Sequence, residues 1–506
     1  MPERNAPAGR VSTGIKGLDY ILQGGLPENR TYVVHGGPGA GKSTLALQFL
    51  MAGARIGQRC LYVTLLQSRA ELEDVVRGHR WSLEGVEILE LPEDVRRASE
   101  AGQTVFSTAE VELHEVADAI GQAIEQHRPQ RMVLDSISEL AILVENTYQL
   151  RRQLLKLKRQ LSAIHCTSLI CAGAGPSQQN VPIQTMVHGV IGLEMQAPVY
   201  GRDRRRLQVS KLRGSDYVGG YHDFRIRTGG LEVYPRLQFE GRVRKADWSV
   251  VASGNAGLDT LLGGGLEQGS TCLLTGTTGS GKSTLASLYV EAGARRGDRA
   301  AVFCFDEGKA TFLRRSAGLG IQIARYVDSG LVDLRQIDVG EISPGEFVQD
   351  VRHAAEREDI RIVVIDSLTG YIQAMPGERE LMIQLHELLT YLNSAGVLTL
   401  MVVATHGLFG DNGAAVDASY IADTVVLLRH FEAMGSVRRC ISVLKKRHGR
   451  HERTIREVQF SSDGIRVGQP LSEFSGTLTG LPRFEGKHEK LLDGTTGDDA
   501  GQAHAD

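Results

Sequence analysis

Two glycine-rich nonapeptides stand 240 residues apart in this 506-residue chain, and the segment leading into the first superimposes without a gap on the segment leading into the second. GGPGAGKST comprises Gly36, Gly37, Pro38, Gly39, Ala40, Gly41, Lys42, Ser43 and Thr44. GTTGSGKST comprises Gly276, Thr277, Thr278, Gly279, Ser280, Gly281, Lys282, Ser283 and Thr284. The same offset, 282 − 42 = 240, lays TGIKGLDYILQGGL (from Thr13) on SGNAGLDTLLGGGL (from Ser253). Such a repeat requires two like domains rather than one large one.

Each nonapeptide fits G-x-x-x-x-G-K-[ST], whose backbone N–H groups wrap phosphates while the lysine reaches the outer ones and the hydroxyl holds Mg²⁺. Each also follows an apolar run that reads as a strand (Thr31 to His35; Thr271 to Thr275) and opens a helical pattern (Leu45 to Arg55; Leu285 to Arg295). That order of strand, glycine turn and helix separates a phosphate-binding loop from an ordinary glycine turn. The chain therefore reads as a duplicated nucleoside-triphosphate module.

Two domains of about 230 residues each are large enough to bury a core. With 57 basic and 60 acidic residues, no global positive field advertises nucleic acid. The six cysteines (Cys60, Cys166, Cys171, Cys272, Cys304, Cys440) include no C-x-x-C pair and mostly lie in apolar runs, so they read as reduced core residues. MPERNAPAGR carries no apolar leader segment, and no apolar stretch approaches the ~18 residues of a membrane span. A cytoplasmic protein with no membrane partner is the expectation. From Glu485 the sequence is polar and aromatic-free, which predicts a flexible tail.

Within the first half, apolar runs such as RCLYVTLL, RMVLDSI and TSLICAG alternate with amphipathic ones such as RAELEDVVRGHRW and QLRRQLLKLKRQL. The second half repeats this with AAVFCFDE, RIVVIDSL, ELMIQLHELLTYLNSAG and VLTLMVVATH. Alternation of this kind predicts an α/β fold, with a mostly parallel sheet flanked by helices. VIGLEMQAPVYGRDRRRLQVSKLRGSDYVGGYHDFRIRTGGLEVY then predicts antiparallel hairpins closing the first sheet, with a counterpart from Thr424 to Val467. The polar run Arg236 to Trp248 reads as the linker, giving domains 1–240 and 241–470 and a tail 471–506.

Phosphoryl transfer needs a metal clamp, a positioned nucleophile with a base, and cations on the transferring group. Asp135 and Asp366 end apolar strands, where a carboxylate meets the metal beside Ser43 and Ser283; an ordinary strand-end or helix-cap aspartate is the plainer alternative. The halves part company one strand earlier. Adding 240 pairs Leu66 with Asp306 and Gln67 with Glu307. Adjacent carboxylates can orient and deprotonate an attacking water or hydroxyl, and Leu and Gln cannot. If Asp306 and Glu307 do more than cap the next helix, the second half hydrolyses and the first chiefly binds.

The duplication, the GLD-x-x-L-x-GGL lead-in, GRDRRRLQVSKLRG and FSGTLTGLP together resemble the KaiC family, two-domain RecA-type ATPases related to the bacterial circadian clock component, over about residues 10–480. The resemblance implies two tandem RecA-like P-loop domains, ATP and Mg²⁺ as cofactors, and a hexameric double ring. ATP would then sit between neighbouring subunits, each site completed by a lysine and an arginine of the next protomer. The matching residues are Lys211 and Arg213 of KLRG, and Lys445 and Arg447 of LKKRHG, where His448 replaces the family's glycine. Cations supplied by a neighbour make hydrolysis depend on assembly. Arg202, Arg204, Arg205 and Arg206 just before KLRG read as a solvated hairpin at the subunit boundary.

The family's second domain also phosphorylates itself on adjacent hydroxyl residues. Ser419 and Tyr420 match that pair, a Ser-Tyr where clock proteins have Ser-Thr, and Asp306 replaces the family's glutamate. A tyrosine hydroxyl lies several ångströms beyond a threonine one, so one γ-phosphate position favours Ser419. The resemblance implies a serine/threonine-type autokinase and KaiB-like or other signalling partners besides self-association. Two other classes compete with this reading. A DNA-dependent motor or recombinase shares the RecA-type fold, but the near-neutral charge and the lack of an aromatic-basic loop argue against it. A signalling scaffold with slow, regulatory catalysis is the second.

Overall fold

The computed structural model describes residues 9–65, 67–90, 108–138, 147–173, 180–198, 201–238, 249–338, 340–357, 359–373, 381–405, 419–433, 435–475 and 483–484. Most of the expected linker, the tail from Glu485, and Leu66 lie outside the described residues. The chain divides into two compact units, each built on one nine-stranded sheet.

In the first domain the apolar runs become β1 (Thr31–Gly36), β2 (Cys60–Thr64), β3 (Val86–Glu90), β4 (Arg131–Asp135) and β5 (Thr167–Gly173). The alternating stretch that follows becomes β6 (Gly189–Gln196), β7 (Arg204–Leu212), β8 (Tyr221–Arg227) and β9 (Gly230–Tyr234). Their order across the sheet is β9-β8-β7-β6-β1-β5-β4-β2-β3. The pairings from β6 through β1 to β3 are parallel, and β6 to β9 pair antiparallel. The glycine-rich loop thus leaves the carboxyl end of a central strand, beside the ends of its parallel neighbours, where ligands bind in sheets of this kind.

The second domain repeats the plan with β10 (Thr271–Gly276), β11 (Arg299–Cys304), β12 (Val332–Gln336), β13 (Ile360–Asp366), β14 (Leu398–Ala404), β15 (Thr424–Ala433), β16 (Ser436–Lys446), β17 (Arg456–Ser461) and β18 (Gly464–Pro470). Read from the far edge, its order is β18-β17-β16-β15-β10-β14-β13-β11-β12, strand for strand that of the first. The duplication inferred from one offset holds at the level of topology.

Strand alternation sends successive side chains to opposite faces. Tyr32, Val34 and Tyr62 face one core with Leu45 and Phe49 of α1 (Lys42–Ala54), the helix after the first loop. Val33, Leu61 and Val63 face another, packed with Val116, Ile120, Ile124, Leu154 and Leu161 of the helices Thr108–His127 and Thr147–Ala163. In the second domain α2 (Lys282–Arg296) packs Leu285, Tyr289 and Val290 against Leu274, Val302 and Val364. All six cysteines are buried and unpaired, as expected of reduced core residues.

Both helices begin at the loop lysine, three residues before their apolar periodicity starts. The polar Lys-Ser-Thr turn carries no apolar face and so leaves no mark in the periodicity, yet it is the turn that adjoins the glycine-rich loop. The lead-in motif is a clip for each domain. Leu18, Ile21, Leu22 and Leu26 are fully buried, as are Leu258, Leu261 and Leu266. Asp19 and Asp259 each accept the backbone N–H of the residue six before, Thr13 or Ser253, at 2.7 Å.

Candidate nucleotide sites

The last glycine of each loop carries the geometry. Gly41 and Gly281 cap α1 and α2 with φ of 102° and 105°, and no side chain caps either helix. A side chain at 281 would be strained by that angle and would also meet the Phe460 ring at 2.1 Å. The uncapped first-turn N–H groups and the positive end of the helix dipole are left facing the loop, which suits an anion. Lys42 Nζ donates to Gly36 O and Gly37 O at 2.8 and 2.9 Å. Lys282 Nζ donates to Gly276 O and Thr277 O at 2.9 and 2.7 Å. Burial brings the Lys282 ammonium down to about 8, with Asp366 opposing, so its charge is costly until an anion arrives.

The strand-end aspartates sit where a metal would share them with the loop serine. In the second domain Ser283 Oγ donates to Asp366 Oδ1 at 3.0 Å, and Asp366 Oδ2 is buried with no hydrogen-bond partner. Burial pushes the Asp366 carboxyl up to about 6, with Glu307 and Asp306 adding repulsion and the Ser283 hydroxyl and Arg315 opposing. A buried orphaned oxygen beside a serine hydroxyl fits a hard divalent cation. No cluster of three or more His, Cys, Asp or Glu among the described residues could hold a metal alone, so phosphate oxygens and water would complete its shell. In the first domain Asp135 Oδ2 instead accepts the Tyr62 hydroxyl at 2.7 Å. The peptides Asp135–Ser136 and Asp366–Ser367 are both cis.

The acid pair lies beside this metal position. Cys304 pairs with Asp366 across β11 and β13, and Phe305 N donates to Asp366 O at 2.7 Å, so Asp306 and Glu307 emerge at the same sheet edge. Ser367 Oγ donates to Asp306 Oδ2 and accepts Gly370 N at 3.0 Å. Glu307 is held by Arg315, whose Nη2 lies 2.6 Å from Oε1. Arg315 was not apparent from sequence, because a helical residue eight positions on carries no motif. At the corresponding corner of the first domain, Gln67 N donates to Thr64 Oγ1 at 3.0 Å, with no carboxylate in its place.

The other expected residues gather away from the loops. Lys211 Nζ donates to Gln184 O at 2.6 Å and Arg213 Nη2 to Thr185 O at 3.0 Å. Lys445 Nζ donates to Ser419 O and Ala422 O at 2.9 and 2.8 Å, while Arg447 donates to Tyr420 O at 2.9 Å and pairs with Asp423 at 3.1 Å. The turn bearing Ser419 and the exposed Tyr420 is therefore tied to the two cations matched to the family's subunit boundary.

Within the arginine run Arg202 is exposed, as expected of a solvated face, but Arg205 departs from that role. Arg205 is only 18% exposed at its side chain, and its Nη2 reaches Gly39 O at 3.5 Å, because β7 runs beside β6 and turns that side chain back over the loop. Arg439 does the same in the second domain, with Nε 3.2 Å from Gly279 O, and nearby His430 Nδ1 lies 2.9 Å from Thr277 Oγ1. Burial, then Arg439 and Lys282, push the His430 imidazole below its ordinary value. The two arginines differ by 439 − 205 = 234, as do Lys211 and Lys445, whereas the loops differ by 240. A single offset misses Arg439; realigning on KLRG and LKKRHG finds it.

Two phosphate-binding loops, each at the carboxyl edge of its own sheet with a strand-end aspartate beside it, define a tandem P-loop nucleotide-binding protein. The family model for the KaiC ATPase matches residues 11–238 and again 251–472. The chain belongs to the KaiC ATPase family and is a KaiC-like ATP-binding protein.

Among its relatives, the circadian clock protein KaiC3 of Synechocystis sp. is 25% identical over 504 residues, spanning 95% of this chain and 96% of that protein. The circadian clock oscillator protein KaiC of Acaryochloris marina is 26% identical, spanning 95% and 92%. That of Thermosynechococcus vestitus is 27% identical, spanning 95% and 93%. No helix among the described residues is long and apolar enough to cross a membrane.

Proposed function

We propose that the second domain hydrolyses ATP and passes phosphate to Ser419, while the first domain chiefly holds ATP to keep a ring assembled. The observation that carries this is the asymmetry at the sheet edge. Asp306 and Glu307 stand beside Asp366, whereas the first domain has Gln67 and an aspartate whose Oδ2 is already taken by Tyr62.

In this reading Lys42 and Lys282 grip the phosphates, and Ser43 with Asp135 and Ser283 with Asp366 hold Mg²⁺. The bound ion would neutralise developing charge on the transferring phosphoryl group. Asp306 accepts a proton and Glu307 positions the attacking water; the Ser367 hydroxyl and the Arg315 guanidinium fix where the two carboxylates point. Lys211, Arg213, Lys445 and Arg447 would serve the neighbouring subunit's site in a homohexamer. Their present carbonyl partners would be exchanged for the neighbour's nucleotide. Domains 1–240 and 241–470, a tail 471–506, cytoplasmic location and KaiB-like or other signalling partners complete the proposal.

Phosphate release measured on full-length variants tests it. Glu307→Gln should remove most turnover with the ring intact. Lys42→Ala should lower turnover only as far as it disassembles the ring, read by the mass of the assembly. Turnover kept in Glu307→Gln and lost in intact Lys42→Ala rings would exchange the roles of the domains. Intact mass after incubation with Mg·ATP, followed by localisation, should place one phosphate on Ser419. Persistent absence of phosphate would reduce the protein to an ATPase.

A further inference from the structure

The two metal positions differ in a way that no loop motif records. In the second domain the serine hydroxyl donates directly to the aspartate, and the other aspartate oxygen has no partner. In the first, the Tyr62 hydroxyl donates to Asp135 Oδ2 at 2.7 Å. A phenol therefore occupies the kind of aspartate oxygen that the second domain leaves open. Tyr62 is on β2, and the residue 240 positions on, at the matching place on β11, is Val302, which has no hydroxyl.

The arrangement is built rather than incidental. Tyr62 is fully buried, its ring packed in the same core as α1. An aspartate oxygen that accepts a phenol proton offers less electron density to a cation. An ion that takes this oxygen must also displace the phenol from it.

We propose that Tyr62 is a positioning residue that weakens the first pocket's hold on its divalent ion, so that this pocket retains nucleotide with little metal-assisted chemistry. The inference rests on the reading of the first domain as a nucleotide-holding site, and it adds a physical cause to the missing carboxylates for slow turnover there. One hydrogen bond to an ionised group sets the scale, at about tenfold in metal affinity.

The test is Mn²⁺ binding followed by electron paramagnetic resonance on full-length protein carrying Lys282→Ala, loaded with a non-hydrolysable ATP analogue. The lysine change leaves the first pocket as the site observed. Adding Tyr62→Phe keeps the ring and removes only the hydroxyl; Tyr62→Val installs the second domain's own residue and serves if Phe perturbs the core. Mn²⁺ should bind about tenfold more tightly, while analogue affinity measured in EDTA stays the same. Unchanged or weaker Mn²⁺ binding, with the analogue still retained, overturns the role of Tyr62 alone. Failure of the Lys282→Ala chain to retain any analogue overturns the assignment of the first pocket, and this inference with it.

Discussion

Replacing Asp366 with asparagine should make the nucleotide-free second domain more stable at alkaline pH, although it removes a proposed metal ligand. Asp366 is 6% exposed, and its carboxyl titrates near 6 rather than at the ordinary 3.8 because burial and the neighbouring Glu307 and Asp306 disfavour its charge. A gap of about 2 units corresponds to about 3 kcal/mol. The folded state binds the proton more tightly than the unfolded chain does, so stability falls as pH rises. The favourable contribution is full below about pH 4, the unfolded value, and gone above about pH 6, the folded one. Asparagine keeps the shape and an acceptor for Ser283 without the charge.

Hydrogen exchange of peptides from β13 and α2, compared between variant and parent at the same pH in EDTA, reads the opening of this domain by itself. At pH 8 the variant should be protected up to about a hundredfold more, and near pH 4 the two should converge. Mg·ATP should then reverse the order, by stabilising only the parent. Equal or lower protection of the variant at pH 8 without nucleotide would refute the claim that the carboxylate is held in a costly charged state awaiting its ion.

Three further outcomes follow from the same geometry. Gly281→Ala should cost about 2–4 kcal/mol in denaturant unfolding, from the left-handed angle and the Phe460 ring, whereas Gly37→Ala, with open space around it, should stay within about 0.5 kcal/mol. Arg439→Ala should weaken ATP binding in the second pocket about tenfold by calorimetry, since the loop loses the cation on Gly279 O; unchanged affinity would show that this contact is incidental. Arg315→Ala should lower kcat for phosphate release with little change in KM, because it frees Glu307 to wander; its effect on stability should stay at about 1 kcal/mol, the two side chains being 27% and 22% exposed.

What could be read from the chain before folding was whatever depends on neighbours in sequence. The loops were legible because nine consecutive residues build the phosphate cradle, and their strands and helices because burial on a sheet or helix face imposes a period. The repeat gave the common topology, since equal patterns bury equal faces. The antiparallel extension was legible from its alternation and glycine turns.

What tertiary structure alone decided is how the two inherited sites differ. Tyr62 reaches Asp135 only because β2 lies beside β4; in sequence the two are 73 residues apart. Arg439 meets the second loop through the β15–β16 hairpin, at a spacing that the loop offset does not predict. Arg315 grips Glu307 because a helix turns back over the strand end, and the raised Asp366 carboxyl reflects enclosure by several elements at once. Chain connectivity fixes distances over a few residues, which is enough to write a phosphate-binding loop. Electrostatic environment and hydrogen-bond pairing are set by strand register and packing, which bring together residues whose separation along the chain carries no physical constraint.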